Sequence, residues 1–172
     1  MRRRAEAVLE GLRSRDEFVS VAILGDRAMR ALNRRFRGLD ETTDVLAFPP
    51  APESAIIRPT PEGEKGTQER GKGDPLPAGP PAHLGDVAIS VDEAVRQAAD
   101  LAESLGACID RLLVHGILHL KWYDHHSARE AARMRRQEKR LLSLLEKMDA
   151  GARARPEGSA RAGRLRARPR EG

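Results

Sequence analysis

The sequence predicts an α+β domain with few strands and a majority of helix. Short segments rich in β-branched residues, FVSVAIL (18–24), TDVLAF (43–48) and LGDVAISV (84–91), read as strands. Apolar residues between and after them recur every three or four positions, the mark of helices with one buried stripe. No internal repeat is present, so neither a solenoid nor a propeller is indicated.

Taken in order, residues 3–13 form a short amphipathic helix ahead of the first strand. Gly25-Asp26 makes the next turn, with Asp26 a candidate N-cap. Met29, Leu32 and Phe36 then carry a helix to Gly38, a residue type that ends helices readily. The second strand closes at Pro49-Pro50. Residues 50–82 are dense in Pro, Gly and charge and show no sustained period. They exceed an ordinary connection within a compact domain and read as a disordered surface insertion. No strand–Gly-loop–helix context surrounds their glycines, so a phosphate loop is not indicated.

After the third strand, Ser90 and Glu93 form an S-x-x-E capping box. The helix it opens turns Ala94, Val95, Ala98, Leu101, Ala102 and Leu105 inward and ends at Gly106. The next helix, 107–120, is apolar around most of its circumference, which marks a central, buried element. Ser127 and Glu130 cap a last helix, with Met134, Leu141, Leu145 and Met148 inward, running to about residue 148. One domain over residues 1–149 and a basic, disordered tail over 150–172 are the expected organisation.

Composition narrows the classes. A hydrophobic content of 40% in 172 residues fits a soluble globular chain, and 3% aromatic means an aliphatic core. No apolar run approaches the roughly 20 residues that cross a bilayer, so no membrane partner is expected. The basic start lacks the apolar segment of a secretory signal, and one cysteine, Cys108, permits no internal disulfide. A reducing, cytoplasmic setting is expected. The net charge of +5 lies in residues 151–172, which hold seven arginines and two glutamates. The preceding 150 residues balance, with 24 basic and 24 acidic side chains. Two readings of the tail stand open: a solvated extension, and a polybasic arm holding RNA phosphates.

Residues 115–126, HGILHLKWYDHH, hold four of the five histidines and the only tryptophan and tyrosine. His115 and His119, four apart on a helix, project from one face with Cβ atoms about 6 Å apart. H-x-x-x-H is the pattern by which a helix offers two imidazoles to one metal. His125 follows past the expected helix end, with chain enough to turn back as a third. Three protein nitrogens and an open position make the layout of a catalytic zinc site. Histidine pairs at this spacing also arise by chance. On so apolar a helix, however, unpartnered imidazoles would cost several kcal/mol, which a ligand relieves. Asp124 is placed to orient a ligand from behind, whereas His126, adjacent to His125, points elsewhere. The zincin pattern H-E-x-x-H has its general base where this chain has Gly116, which argues against a protease.

The same segment resembles the YbeY family, bacterial metal-dependent endoribonucleases of rRNA maturation. Its hallmark, H-G-x-L-H-L-x-G-Y-D-H, precedes a helix with E-A-x-x-M. His115, Gly116, Leu118, His119, Leu120, Tyr123, Asp124 and His125 match, then Glu130, Ala131 and Met134. Upstream, LNRRFRGLDETTDVLAFP (32–49) is similar to the family's L-N-x-x-(Y/F)-R-G-x-D-x-x-T-D-V-L-S-F-P, and LGDVAIS (84–90) to its L-G-D-(I/V)-x-I-S. The resemblance implies a small mixed sheet packed by several helices, with a zincin-like central helix carrying the histidines. It implies one Zn2+ held by His115, His119 and His125, with Arg37, His115 and His119 catalytic. The activity implied is a single-strand-specific endoribonuclease of small-subunit rRNA maturation, ribosome assembly and quality control. Its partners are then rRNA and small ribosomal subunit components.

Read without the resemblance, Arg37 is a helix-terminal cation favoured by the dipole; near a metal it is a fork for phosphate. Asp44 and Asp86 also match the pattern, but hydrogen bonding at loops and strand ends explains them equally. Two residues depart from it. Ala47 replaces a serine. Trp122 stands where the pattern has glycine, a position past a helix end that often takes the left-handed conformation. A different path of the turn to His125 is therefore expected, with Trp122 either packed on the helix end or offered as a base-stacking surface. No general base is identifiable, so hydrolysis and attack by the RNA's own 2′-hydroxyl both stand. So do two alternatives: a metallohydrolase with another substrate, and a non-catalytic assembly factor whose zinc pins the last two helices.

Overall fold

The computed structural model describes residues 1–50 and 81–153. The expected insertion over 50–82 and tail over 150–172 fall mostly outside those residues. In chain order the described residues form α1 (Arg2–Gly11), β1 (Glu17–Leu24), α2 (Asp26–Arg37), β2 (Val45–Phe48), β3 (Ala82–Ser90), α3 (Val91–Asp100), α4 (Leu105–Leu120) and α5 (Ala128–Arg153). The expected α+β class holds. The strands make one mixed sheet in the order β1-β3-β2, with β3 parallel to β1 and antiparallel to β2.

Side chains alternate across a strand, and β3 uses both faces. Val87 and Ile89 join Val8 of α1, Leu113 and Ile117 of α4, and Leu141 of α5 in the main core. Ala88 turns the other way, to Leu46 of β2 and Met29 of α2. Helix α4 lies close on the sheet because Gly116 lacks a side chain. A Cβ there would stand 2.7 Å from Val87 Cγ1 and 3.2 Å from Val45 Cγ2. That contact gives the glycine a packing role and leaves no room for the glutamate of H-E-x-x-H.

Several expectations are corrected. Helix α3 stops at Asp100, not Gly106: Ala102 takes φ of 51°, and Ser104 Oγ accepts the Ala107 N–H to start α4. A break between helices shifts the phase, so the 3.6-residue period carried across it no longer tracks one face. Past the break Leu101 is 60% exposed, Leu105 39%, and Ala102 is exposed too. Within α3, Ala94 and Ala98 are buried but Val95 is 51% exposed, at the edge of the buried stripe. Asp26 is the first residue of α2 and Gly25 its N-cap. The Asp26 N–H donates to Asp92 Oδ2 at 2.8 Å, a cap supplied from α3. The Asp26 carboxylate instead accepts from Ser90 Oγ and from both arms of Arg96. Helix α5 continues to Arg153, and Met148 is exposed, because the buried stripe ends at Leu145.

Candidate metal centre

Helix α4 sets the first two imidazoles. The His115 and His119 Nε2 atoms stand 3.0 Å apart, both rings half-buried at the edge of the core. From α5, Glu138 Oε1 lies 2.8 Å from His115 Nδ1. A carboxylate there takes the Nδ1 proton as a hydrogen bond and leaves Nε2 with its lone pair toward the groove. Burial lowers the His119 pKa, and the charges of His115, His125 and Arg37 lower it further. The neutral ring so favoured is the form that binds metals.

The third imidazole arrives through a turn. Tyr123 N–H donates to Leu118 O and Trp122 N–H to His119 O, each at 3.0 Å. These two bonds define a Schellman motif, whose C′ residue is left-handed. Here that residue is Trp122, at φ 60°. The turn therefore forms with tryptophan in the glycine's place, against the expected detour. Its side chain does not pack on the helix end either, since Trp122 is 85% exposed. A left-handed residue with a Cβ costs about 1–2 kcal/mol, and almost no burial offsets it.

The His125 ring centroid then lies 5.4 Å from that of His119 and 6.2 Å from that of His115. Asp124 braces the loop: Oδ1 accepts the His125 N–H at 2.7 Å, and Oδ2 lies 2.8 Å from His126 Nε2. Its partner ring is thus His126; His125 Nδ1 is 3.9 Å away. Arg37, at the end of α2, lines the same groove of about 450 Å³ as the three histidines. Asp44 lines it too, but its carboxylate is engaged by the Val45 N–H and by Gln97. Asp86 is exposed on β3, 3.4 Å from His83.

The donor set suits zinc in kind. Bonds of about 2.0–2.1 Å in a tetrahedron put ligand nitrogens about 3.3 Å apart, close to the separation of the His115 and His119 nitrogens. His125 stands off the pair. Among the described residues no three His, Cys, Asp or Glu side chains are drawn together tightly enough to hold an ion. With 57% of its side chain exposed, His125 has room to rotate inward. Glu138 is the residue that sequence reading passes over. It falls between Met134 and Leu141 on the α5 stripe that continues to Leu145, and a carboxylate in that register signals a buried partner.

The family description Endoribonuclease YbeY matches residues 2–146. A protein named Endoribonuclease YbeY from Anaeromyxobacter sp. (strain Fw109-5) is 41% identical over 141 residues, covering 82% of this chain and 61% of that protein. The chain thus spans less than two thirds of that relative's length. Another of that name, from Thermus thermophilus, is 37% identical over 144 residues, covering 84% of this chain and 88% of the relative. The solution structure of TM1509 from Thermotoga maritima shares the fold, with a TM-score of 0.53 at 20% identity over 91% of this chain and 89% of that one. The matched span runs from the start of α1 into α5 and takes in all three strands and every histidine of the groove, which makes this chain a member of the YbeY family.

Proposed function

We infer that the protein is a metal-dependent endoribonuclease that cleaves single-stranded RNA during rRNA maturation and ribosome assembly, in the cytoplasm. The observation that carries the reading is the convergence of His115, His119, His125 and Arg37 on one groove. The relatives' shared name supports RNA as substrate.

His115, His119 and His125 would hold one Zn2+. An ion bound there supplies Lewis acidity toward a phosphate oxygen and acidifies water. Glu138 keeps the His115 proton on Nδ1, so that Nε2 faces the groove as a ligand. Arg37 binds the scissile phosphate with its planar fork and neutralises charge as it accumulates. Asp124 holds the 121–126 loop in register by accepting the His125 N–H. Small ribosomal subunit components are the expected partners, and the arginine-rich tail an added RNA contact.

Elemental analysis of wild type beside His119→Ala, followed by cleavage of unpaired and paired RNA, tests this. About one zinc per chain, lost with His119, and cleavage of unpaired RNA abolished in Arg37→Ala are expected. A zinc-loaded wild type that leaves unpaired RNA intact sinks the reading. Removing the metal separates the alternatives: a catalytic ion leaves the far-ultraviolet circular dichroism largely unchanged, whereas a purely structural one takes the fold with it.

A further inference from the structure

A recess of about 220 Å³ adjoins the histidine groove, lined by Ala47, Pro49, Trp122 and Tyr123 and sharing His119 and Asp124 with it. Two observations single it out. Trp122 is held left-handed with 85% of its surface in solvent, so the fold gains no packing from it. And the Tyr123 ring is already covered by the Arg133 guanidinium, 4.7 Å from its centroid, leaving the indole as the uncovered aromatic surface at the recess.

We propose that Trp122 is a positioning residue for substrate: its indole stacks on the nucleobase next to the phosphate held by Arg37. The inference rests on the RNA-cleaving reading above. A nucleotide whose phosphate lies in the groove has the recess beside it, because His119, Asp124 and Ala47 belong to both. Stacking on an aromatic face tolerates any base. It requires that the base be splayed out, which a base inside a duplex is not. Trp122 thereby selects unpaired RNA without reading sequence.

Trp122 is the only tryptophan in the chain, so intrinsic indole fluorescence reports on it alone. The full chain is titrated with a short end-labelled 2′-O-methyl oligoadenylate and with an abasic ribose-phosphate chain of equal length. Binding is followed by indole fluorescence and, independently, by anisotropy of the label. Saturable quenching by the base-bearing probe and none by the abasic chain are expected. Trp122→Ala then weakens the base-bearing probe by about tenfold, the loss of one stack, and Trp122→Phe restores most of it. Trp122→Gly, free of backbone strain, behaves as Trp122→Ala does. In cleavage, the loss falls on KM with kcat little changed, as for a contact made equally in ground and transition states. Binding seen by anisotropy with unchanged indole fluorescence, or Trp122→Ala binding as tightly as wild type, overturns the stacking role and leaves the nuclease reading standing. No binding of either probe overturns both.

Discussion

Helix α4 and the 121–127 loop each contribute to the histidine groove, and they are built in opposite ways. His115 and His119 flank Gly116, whose backbone is pressed on Val87, and Leu113, Ile117 and Leu118 beside them are fully buried. Trp122, His125 and His126 hang in solvent from a Schellman turn, held mainly by Asp124. The pair on the helix is close to ligand spacing, and the loop histidine is not. Packing fixes two imidazoles before any ligand arrives; a turn with few buried contacts leaves the third free to close. Local openings of low cost are concentrated in segments of this second kind.

Disturbing the rigid half should cost most. Gly116→Val drives a branched side chain into Val87 and Val45 and should cost about 3 kcal/mol of stability. Calorimetry should show the fall in Tm together with loss of zinc binding. His119→Ala, which spares the fold, should lower cleavage by more than about a hundredfold, because outer partners of metal ligands alone are worth 10–100-fold. His125→Ala should fall less far. Equal losses in the two variants would show that the loop histidine matters to the site as much as the helical one.

Glu138→Gln should weaken zinc by about tenfold with little change in Tm, since it removes the anionic partner of His115. A competition titration against a chromophoric chelator measures it. On the loop, Trp122→Gly should raise stability by about 1 kcal/mol, relieving a left-handed residue at no loss of packing. A drop in Tm would instead reveal contacts made by the indole.

The smallest effect lies away from both halves. Arg96 beside Asp26, with Ser90 and Thr42 assisting, holds that carboxyl below its ordinary range. Its contribution to stability is therefore complete above about pH 4 and is lost as pH falls through the depressed folded value. Asp26→Asn should flatten that acid limb in pH-dependent unfolding and leave cleavage at neutral pH unchanged.

Much of this was legible along the chain. Strands β1, β2 and β3 lie within two residues of their expected limits, and the centre of α4 was marked by its all-round apolarity. The capping box at Ser127 forms in full, Glu130 Oε2 accepting from the Ser127 N–H and hydroxyl and the Glu130 N–H donating to Ser127 Oγ. At Ser90 only half of the expected box forms, the Glu93 N–H donating to Ser90 Oγ at 3.1 Å while the Ser90 N–H goes to Asp44 O and the Glu93 carboxylate to Arg96. These features depend on residues a few positions apart, and short-range sterics and hydrogen bonding decide them. The i, i+4 pair of histidines was readable for the same reason.

Other features could not be read that way. Val95 keeps the helical period of α3 yet faces water, because burial depends on what packs opposite, and Leu101 and Leu105 lie beyond the end of that helix, where its period no longer applies. The cap of α2 comes from Asp92, 66 residues away. Glu138 found its imidazole 23 residues back along the chain. Sequence alone determined the element types, the histidine pattern and the family. Only the tertiary structure decided that Gly116 is glycine to let α4 touch the sheet, that Glu138 stands behind His115, and that Trp122 is held out in solvent. Each of those depends on the distance between segments remote in sequence, and no local propensity encodes it.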